Sequence, residues 1–109
     1  MEKIQIVTPV YNEEKNIYST LENFFEEYKD NNFEISFIIS EDGSTDNSIK
    51  IINDLKKIYD IKLLSSPDRK NYSEAVLIGL RETTSKIISF VDSDGQYDPK
   101  DLKRLHEQL

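Results

Sequence analysis

The 109-residue sequence contains no cysteine and no tryptophan, and only three glycines and three prolines. Without thiols there is neither a disulfide framework nor a thiolate metal site, which fits a reducing compartment, and a cytoplasmic location is expected. Gly43, Gly79 and Gly95 stand far apart, so the chain has neither a glycine-rich dinucleotide fingerprint nor a phosphate-cradling P-loop. No apolar stretch approaches the roughly 18 residues of a membrane span, and Met1-Glu2-Lys3 leads into a core-like strand rather than a signal peptide. Positive charge is scarce as well. With 14 basic against 21 acidic side chains the net charge is −7, and no basic cluster exceeds a pair, which argues against a nucleic-acid groove.

What the sequence does contain is enough for one folded domain. Apolar residues make up 37% and charged residues 32%, and a chain of this size buries roughly 60–70% of the surface it exposes when unfolded. Four short apolar runs, "KIQIVTPV", "FEISFIIS", "IKLLS" and "KIISFVD", have the length and continuity of parallel strands covered on both faces. Helical spacing fills the intervals. Ile17, Leu21, Phe24, Phe25 and Tyr28 share one face, as do Ser48, Ile51, Ile52, Leu55, Ile58 and Tyr59, and then Tyr72, Ala75, Val76, Gly79 and Leu80. In a fourth helix Asp98 is the expected cap, Pro99 suits the first turn, and Leu102, Leu105 and Leu109 mark the apolar side. The order β-α-β-α-β-α-β-α calls for an α/β fold: a Rossmann-like open parallel sheet with helices on both faces.

In such a sheet every strand ends on one edge, and ligands bind beyond the carboxyl ends where the strand order reverses. All four polar clusters follow strand ends: "TPVYNEE", "SEDGSTDNS", "SSPDRKNYS" and "DSDGQYDP". The opposite loops carry nothing comparable. In the last cluster Asp92 and Asp94 lie two apart, so an extended chain would present both carboxylates on one side, about 6–7 Å apart at ~3.3 Å per residue. Two like charges placed together in an acidic chain are explained by a hard divalent cation, Mg²⁺ or Mn²⁺, which takes carboxylate oxygens and fills its other positions with water or phosphate. The same cation lets an anionic fold hold a diphosphate. A turn alone would also use Asp, Ser and Gly here.

The other clusters have structural readings beside the functional ones. "EDGSTDNS" is helix-start chemistry, with Ser44 or Thr45 as cap and Asp46 on the first-turn dipole; Asp42 is not needed for that. Arg69 and Lys70 are either a solvated pair or phosphate contacts. Tyr11 packs over the crevice mouth or stacks on a ring. The lone His106, in a polar last helix, is expected to face solvent.

"TPVYNEE", "EDGSTDNS" and "DSDGQYDP", in that order and each after a strand, resemble the nucleotide-sugar-binding half of family 2 glycosyltransferases with the GT-A fold, from Ile4 to about Leu105. The resemblance implies inverting transfer of a sugar from a nucleotide diphosphate sugar, UDP- or GDP-linked, with Mg²⁺ or Mn²⁺. Carried over by position, Pro9, Tyr11 and Glu13 would line the nucleoside pocket, and Asp42 would accept from a base N–H. Asp92 and Asp94 match the family's DxD, with Ser93 between them. The second acid would ligate the metal; the first would lie by the ribose and diphosphate or share the ion. Gln96 matches a position that adds to the metal shell in polyprenyl-phosphate sugar synthases, and "DSDGQYDP" looks most like that branch. The implied acceptor is a lipid phosphate, with the full-length protein peripheral at the inner face of a membrane.

Three positions depart from the family pattern. Asn71 and Ser73 stand at glycine-like places before the third helix, so the backbone is expected to approach a ligand less closely, and Glu41 replaces a common aspartate. The family fold also continues past the DxD helix with strands carrying the acceptor site and a carboxylate general base. No residue here matches that base, so none is assigned, and residues 1–109 are expected to be a donor-binding domain cut before the acceptor half. An uncovered edge strand would then favour homo-oligomers. The alternative is a non-catalytic, Mg-binding receiver-like or nucleotide-sensing module; it would want an acidic pair after the first strand, where this chain has Thr8-Pro9.

Overall fold

A computed structural model describes residues 2–29 and 33–109. Four strands and four helices alternate along the chain: β1 (Glu2–Val10), α1 (Ile17–Tyr28), β2 (Phe33–Asp42), α2 (Ser48–Leu55), β3 (Ile61–Ser66), α3 (Tyr72–Arg81), β4 (Ile87–Phe90) and α4 (Pro99–Glu107). All pairings are parallel and the strands lie in the order β3-β2-β1-β4. This is the Rossmann-like α/β arrangement expected from the alternating periods.

Period-two alternation divides the central strands between two faces. Ile4, Ile6 and Val10 of β1 with Ile35, Phe37 and Ile39 of β2 form one core with Ile17, Leu21, Phe24 and Tyr28 of α1, Ile52 and Leu55 of α2, and Leu102 of α4. The opposite face, carrying Val7 and Ser40, is covered by α3. There Gly79 sits so close that a Cβ would lie 2.7 Å from Val7 Cγ1. Because β1 and β2 are sandwiched from both sides, their apolar residues run almost uninterrupted, as the sequence indicates.

Several local expectations are corrected. α2 ends at Leu55, so Ile58 lies beyond it and is exposed, while Tyr59 turns back to stack on Phe25 with ring centroids 4.3 Å apart. Neither Ser44 nor Thr45 caps α2, which begins at Ser48; Asp46 Oδ1 accepts from Ser48 N–H at 2.9 Å instead. Asp98 does cap α4, accepting from Lys100 N–H at 2.9 Å, with Pro99 in the first turn. The apolar side of α4, however, is not Leu102, Leu105 and Leu109, since Leu105 is 62% exposed and Leu109 more so.

The inward residue one turn after Leu102 is His106, which is 3% exposed and not solvent-facing. Tyr28 Oη lies 2.7 Å from its Nδ1 and Ser89 Oγ 2.8 Å from its Nε2, so the ring joins α1, β4 and α4. Both ring nitrogens are satisfied, which is why a polar residue can stand at a core position. Burial lowers the His106 pKa from its ordinary value and favours the neutral ring.

Candidate functional site

The chain lays β2 and β3 to one side of β1 and then returns to place β4 on the other, so the order reverses between β1 and β4. A cleft of about 320 Å³ opens at that reversal, where open parallel sheets bind their ligands. Loops after all four strands reach it. Pro9, Tyr11 and Glu13 come from β1, Asp42 from the end of β2, Arg69 from the loop after β3, and Asp92, Ser93 and Asp94 from beyond β4. Val10 and, from α3, Tyr72 and Ala75 complete the lining.

One wall is assembled by ties between the first two loops. Asn12, held at a φ of +51°, donates its backbone N–H to Ser44 Oγ at 3.0 Å, and its side-chain oxygen accepts from Thr45 N–H at 2.8 Å. Glu13 N–H reaches Ser48 Oγ at 2.9 Å, and Glu14 N–H reaches Asp46 Oδ2 at 3.1 Å. Ser44, Thr45 and Ser48 are therefore engaged across the loop pair, while Asp46 serves both that tie and the start of its own helix. Glu41, only 2% exposed, points away from the cleft's use: it accepts from Ser65 Oγ at 2.8 Å and from the backbone N–H of Ser44.

The loop after β3 docks onto this wall through Asp42 and Gly43. Asp42 Oδ1 accepts from Lys70 N–H at 2.7 Å, and its Oδ2 lies 3.9 Å from Arg69 Nε. Gly43 has a φ of +78°, and a Cβ there would sit 2.7 Å from Arg69 N, an approach of backbone on backbone that only glycine permits. The docking puts the Arg69 guanidinium 3.8 Å from the centroid of the Tyr11 ring, a cation–π contact. Tyr11, Asp42 and Arg69 thus form one continuous surface with a planar face and a carboxylate.

The other end of the cleft is acidic. β4 ends at Phe90, with one more rung from Val91 N–H to Val7 O at 3.1 Å, and the chain then turns through Ser93 and Asp94 to Gly95 at a φ of +81°. The spacing of an extended strand therefore does not apply to the two carboxylates. Ser93 is buried and its hydroxyl donates to Pro9 O at 3.0 Å, which latches the end of β4 to the end of β1. Asp92 Oδ1 accepts from Tyr72 Oη at 2.8 Å; Asp94, exposed, has its Oδ1 accepting from Gln96 N–H at 3.1 Å. Each acid keeps Oδ2 uncommitted among these bonds. Desolvation first, then the hydrogen bond to Asp92 and the nearby negative charge, push the Tyr72 hydroxyl up to about 12, so it stays a donor near neutral pH.

Of the residues singled out by sequence, eight share this cleft, while Lys70 and Gln96 lie outside its lining. Lys70 contributes its backbone amide to Asp42, and Gln96 its amide to Asp94. Helical spacing puts Tyr72 and Ala75 on the core face of α3 and conceals that the first turn of α3 projects into the cleft. No group of three or more His, Cys, Asp or Glu side chains suited to a metal occurs among the described residues. Asp92 and Asp94 at this end of the cleft are hard carboxylate donors, the kind that suits a divalent cation whose shell is completed by a ligand's phosphates.

The family model described as "Glycosyl transferase family 2" matches residues 5–109. Undecaprenyl-phosphate 4-deoxy-4-formamido-L-arabinose transferase of Proteus mirabilis is 30% identical over 94% of this chain and 32% of its own length. The chain spans about a third of the length of the curated relatives it matches. Among solved structures, residues 1–349 of Staphylococcus aureus TarS in complex with UDP-GlcNAc match with a TM-score of 0.81 at 21% identity, over 96% of this chain and 30% of that one. Glucosyl-3-phosphoglycerate synthase of Mycobacterium tuberculosis, complexed with Mn²⁺, UDP and glucosyl-3-phosphoglycerate, matches with a TM-score of 0.66 at 25% identity, over 84% of this chain and 33% of that one. With a GT-A-like fold, a cleft at the strand-order reversal and a family match across nearly its whole length, this chain belongs to glycosyl transferase family 2.

Proposed function

We propose that this chain is the donor-binding part of a glycosyltransferase and that its cleft holds a UDP- or GDP-linked sugar together with Mg²⁺ or Mn²⁺. The observation that carries the reading is the convergence of a planar, cation-capped surface at Tyr11 and Arg69 with the Asp92–Asp94 turn in one cleft of about 320 Å³. A nucleoside fits the first part: the base lies along Tyr11 and Pro9, Glu13 borders the ribose, and Asp42 accepts from a base N–H. Binding there competes with Arg69 for the face of Tyr11, which would free the guanidinium to turn toward the diphosphate, with Lys70 as a second positive charge. At the other end Asp94, with Asp92 and Gln96, would hold the cation. Bound there, the metal supplies charge that offsets the negative charge gathering on a departing diphosphate.

Mn²⁺ and UDP in the complex of glucosyl-3-phosphoglycerate synthase support the cation and the nucleotide class. The relatives named for undecaprenyl-phosphate and dolichyl-phosphate transfer support a polyprenyl phosphate as acceptor. No helix among the described residues is long and apolar enough to cross a membrane. Calorimetric titration of UDP and of GDP, with and without Mn²⁺, tests the proposal. One nucleotide should bind at least tenfold more tightly with Mn²⁺, and Asp94→Ala should remove that gain. Equal affinities in all four titrations of the unmodified chain would end the reading.

A further inference from the structure

Resting on that reading, we propose that Tyr72 is a positioning residue for the metal end of the cleft, fixing Asp92 so that a single oxygen of its carboxylate faces the cation and diphosphate. Tyr72 opens α3 and leans edge-on against Phe90, with centroids 6.2 Å apart and ring planes at 77°. That contact sets the direction of the ring, and the ring sets the direction of the hydroxyl, which donates to Asp92 Oδ1 at 2.8 Å. A hydroxyl on a two-torsion side chain braced in this way holds a carboxylate far better than water does. Tyr72 is nonetheless 53% exposed and lines the cleft, so little of the core depends on its hydroxyl.

The bond also divides the labour between the two acids. Asp92 is half-buried and has one oxygen taken by a side chain from another element, whereas Asp94 is exposed and makes its described contact only with a backbone N–H two residues on. Asp92 is therefore the preset member of the pair, and Asp94 can swing with its turn to follow the cation. Losing the Tyr72 hydroxyl frees Asp92 to rotate and to spread its charge over two orientations. The cost falls mainly on the metal-dependent part of binding, because the Tyr11 and Asp42 wall makes no use of Tyr72.

The test is a set of calorimetric titrations on the full 109-residue chain with UDP or GDP, each in EDTA and in Mn²⁺, for the unmodified protein, Tyr72→Phe, Asp92→Asn and the double variant. Tyr72→Phe should lose about tenfold more affinity in the Mn²⁺ titration than in EDTA, about 1.4 kcal/mol. Asp92→Asn should lose at least as much, and the double variant no more than Asp92→Asn, because the hydroxyl then has no carboxylate to orient. Unchanged Mn²⁺-dependent affinity in Tyr72→Phe, losses that simply add, or an equal loss in EDTA would each overturn the assignment while leaving the nucleotide reading intact. If the unmodified chain gains nothing from Mn²⁺, both fall together.

Discussion

Replacing Gly79 by alanine sets two known effects against each other, and the packing of α3 on the sheet decides between them. In the interior of an exposed helix the change stabilises by about 1 kcal/mol, since glycine loses more backbone freedom on folding. Here the new methyl would lie 2.7 Å from Val7 Cγ1 and 3.6 Å from Ser40 Cβ. Carbon atoms prefer about 3.5–4.0 Å, so helix or strand must yield by most of an ångström. Val7 is fully buried and β-branched, and it sits on the central strand with partners on both sides, so it cannot turn away. Overpacking of this kind costs roughly 1–3 kcal/mol, enough to cancel or exceed the helix gain. We predict a net destabilisation of up to about 2 kcal/mol for Gly79→Ala. Val7→Ala should destabilise on its own, and the pair together should cost clearly less than the sum, because the added methyl then occupies the space that Val7 vacates. Urea denaturation of the four proteins measures each free energy. A more stable Gly79→Ala, or strictly additive losses, would show that α3 does not rest on β1 as described.

Three further outcomes follow from features of the same fold. Because burial lowers the His106 pKa below its unfolded value of about 6.5, the unfolded chain takes up this proton first, so the stability tied to the neutral ring is present above that pH and is lost as pH falls below it, by about 1.4 kcal/mol per unit of separation. Melting temperatures at pH 7.5 and 5.5 should therefore drop further in the unmodified protein than in His106→Gln, and equal drops would refute the link. Gly43→Ala must hold a φ of +78° against a backbone 2.7 Å away and should cost roughly 2–5 kcal/mol in chemical denaturation; a variant as stable as the parent would contradict the docking of the Arg69 loop. The outer edge of β4 has no partner strand among the described residues and carries the half-exposed Ile88, so the 109-residue chain is expected to self-associate in sedimentation velocity as concentration rises. A single monomeric boundary throughout would count against that.

The sequence displayed its sheet well because β1 and β2 are buried on both faces and must read as apolar runs. The cleft was legible for the same reason: parallel strands bring their carboxyl ends together, so polar residues after each strand had to meet. Side chains that serve two elements were harder to see. His106 looks like surface in a helix of mostly charged residues, and only its alignment one turn after Leu102 hints otherwise. Ser44 and Thr45 have the chemistry of caps, but the left-handed turn at Asn12 presents it to them from 32 and 33 residues away, and local periodicity says nothing of such contacts. Helical periodicity puts Tyr72 on a core face, but its position in the first turn of α3 matters more and brings it to the cleft. The i, i+2 spacing of Asp92 and Asp94 suggests strand geometry, whereas Gly95 and the latch of Ser93 to Pro9 convert it to a bend.

The bridging of Asn12 and Glu14 to residues 44–48 has a thermodynamic corollary. Two of the cleft's borders are tied to each other before any ligand arrives, whereas the exposed Asp94 and Gln96 share a bond within their own turn, from Gln96 N–H to Asp94 Oδ1. A free nucleoside should accordingly associate with a small entropy penalty, and most of the disorder surrendered on binding a full sugar nucleotide should come from residues 94–97. Amide hydrogen exchange ought to register this as slowing confined to that segment, with residues 12–14 and 44–48 already slow in the empty protein.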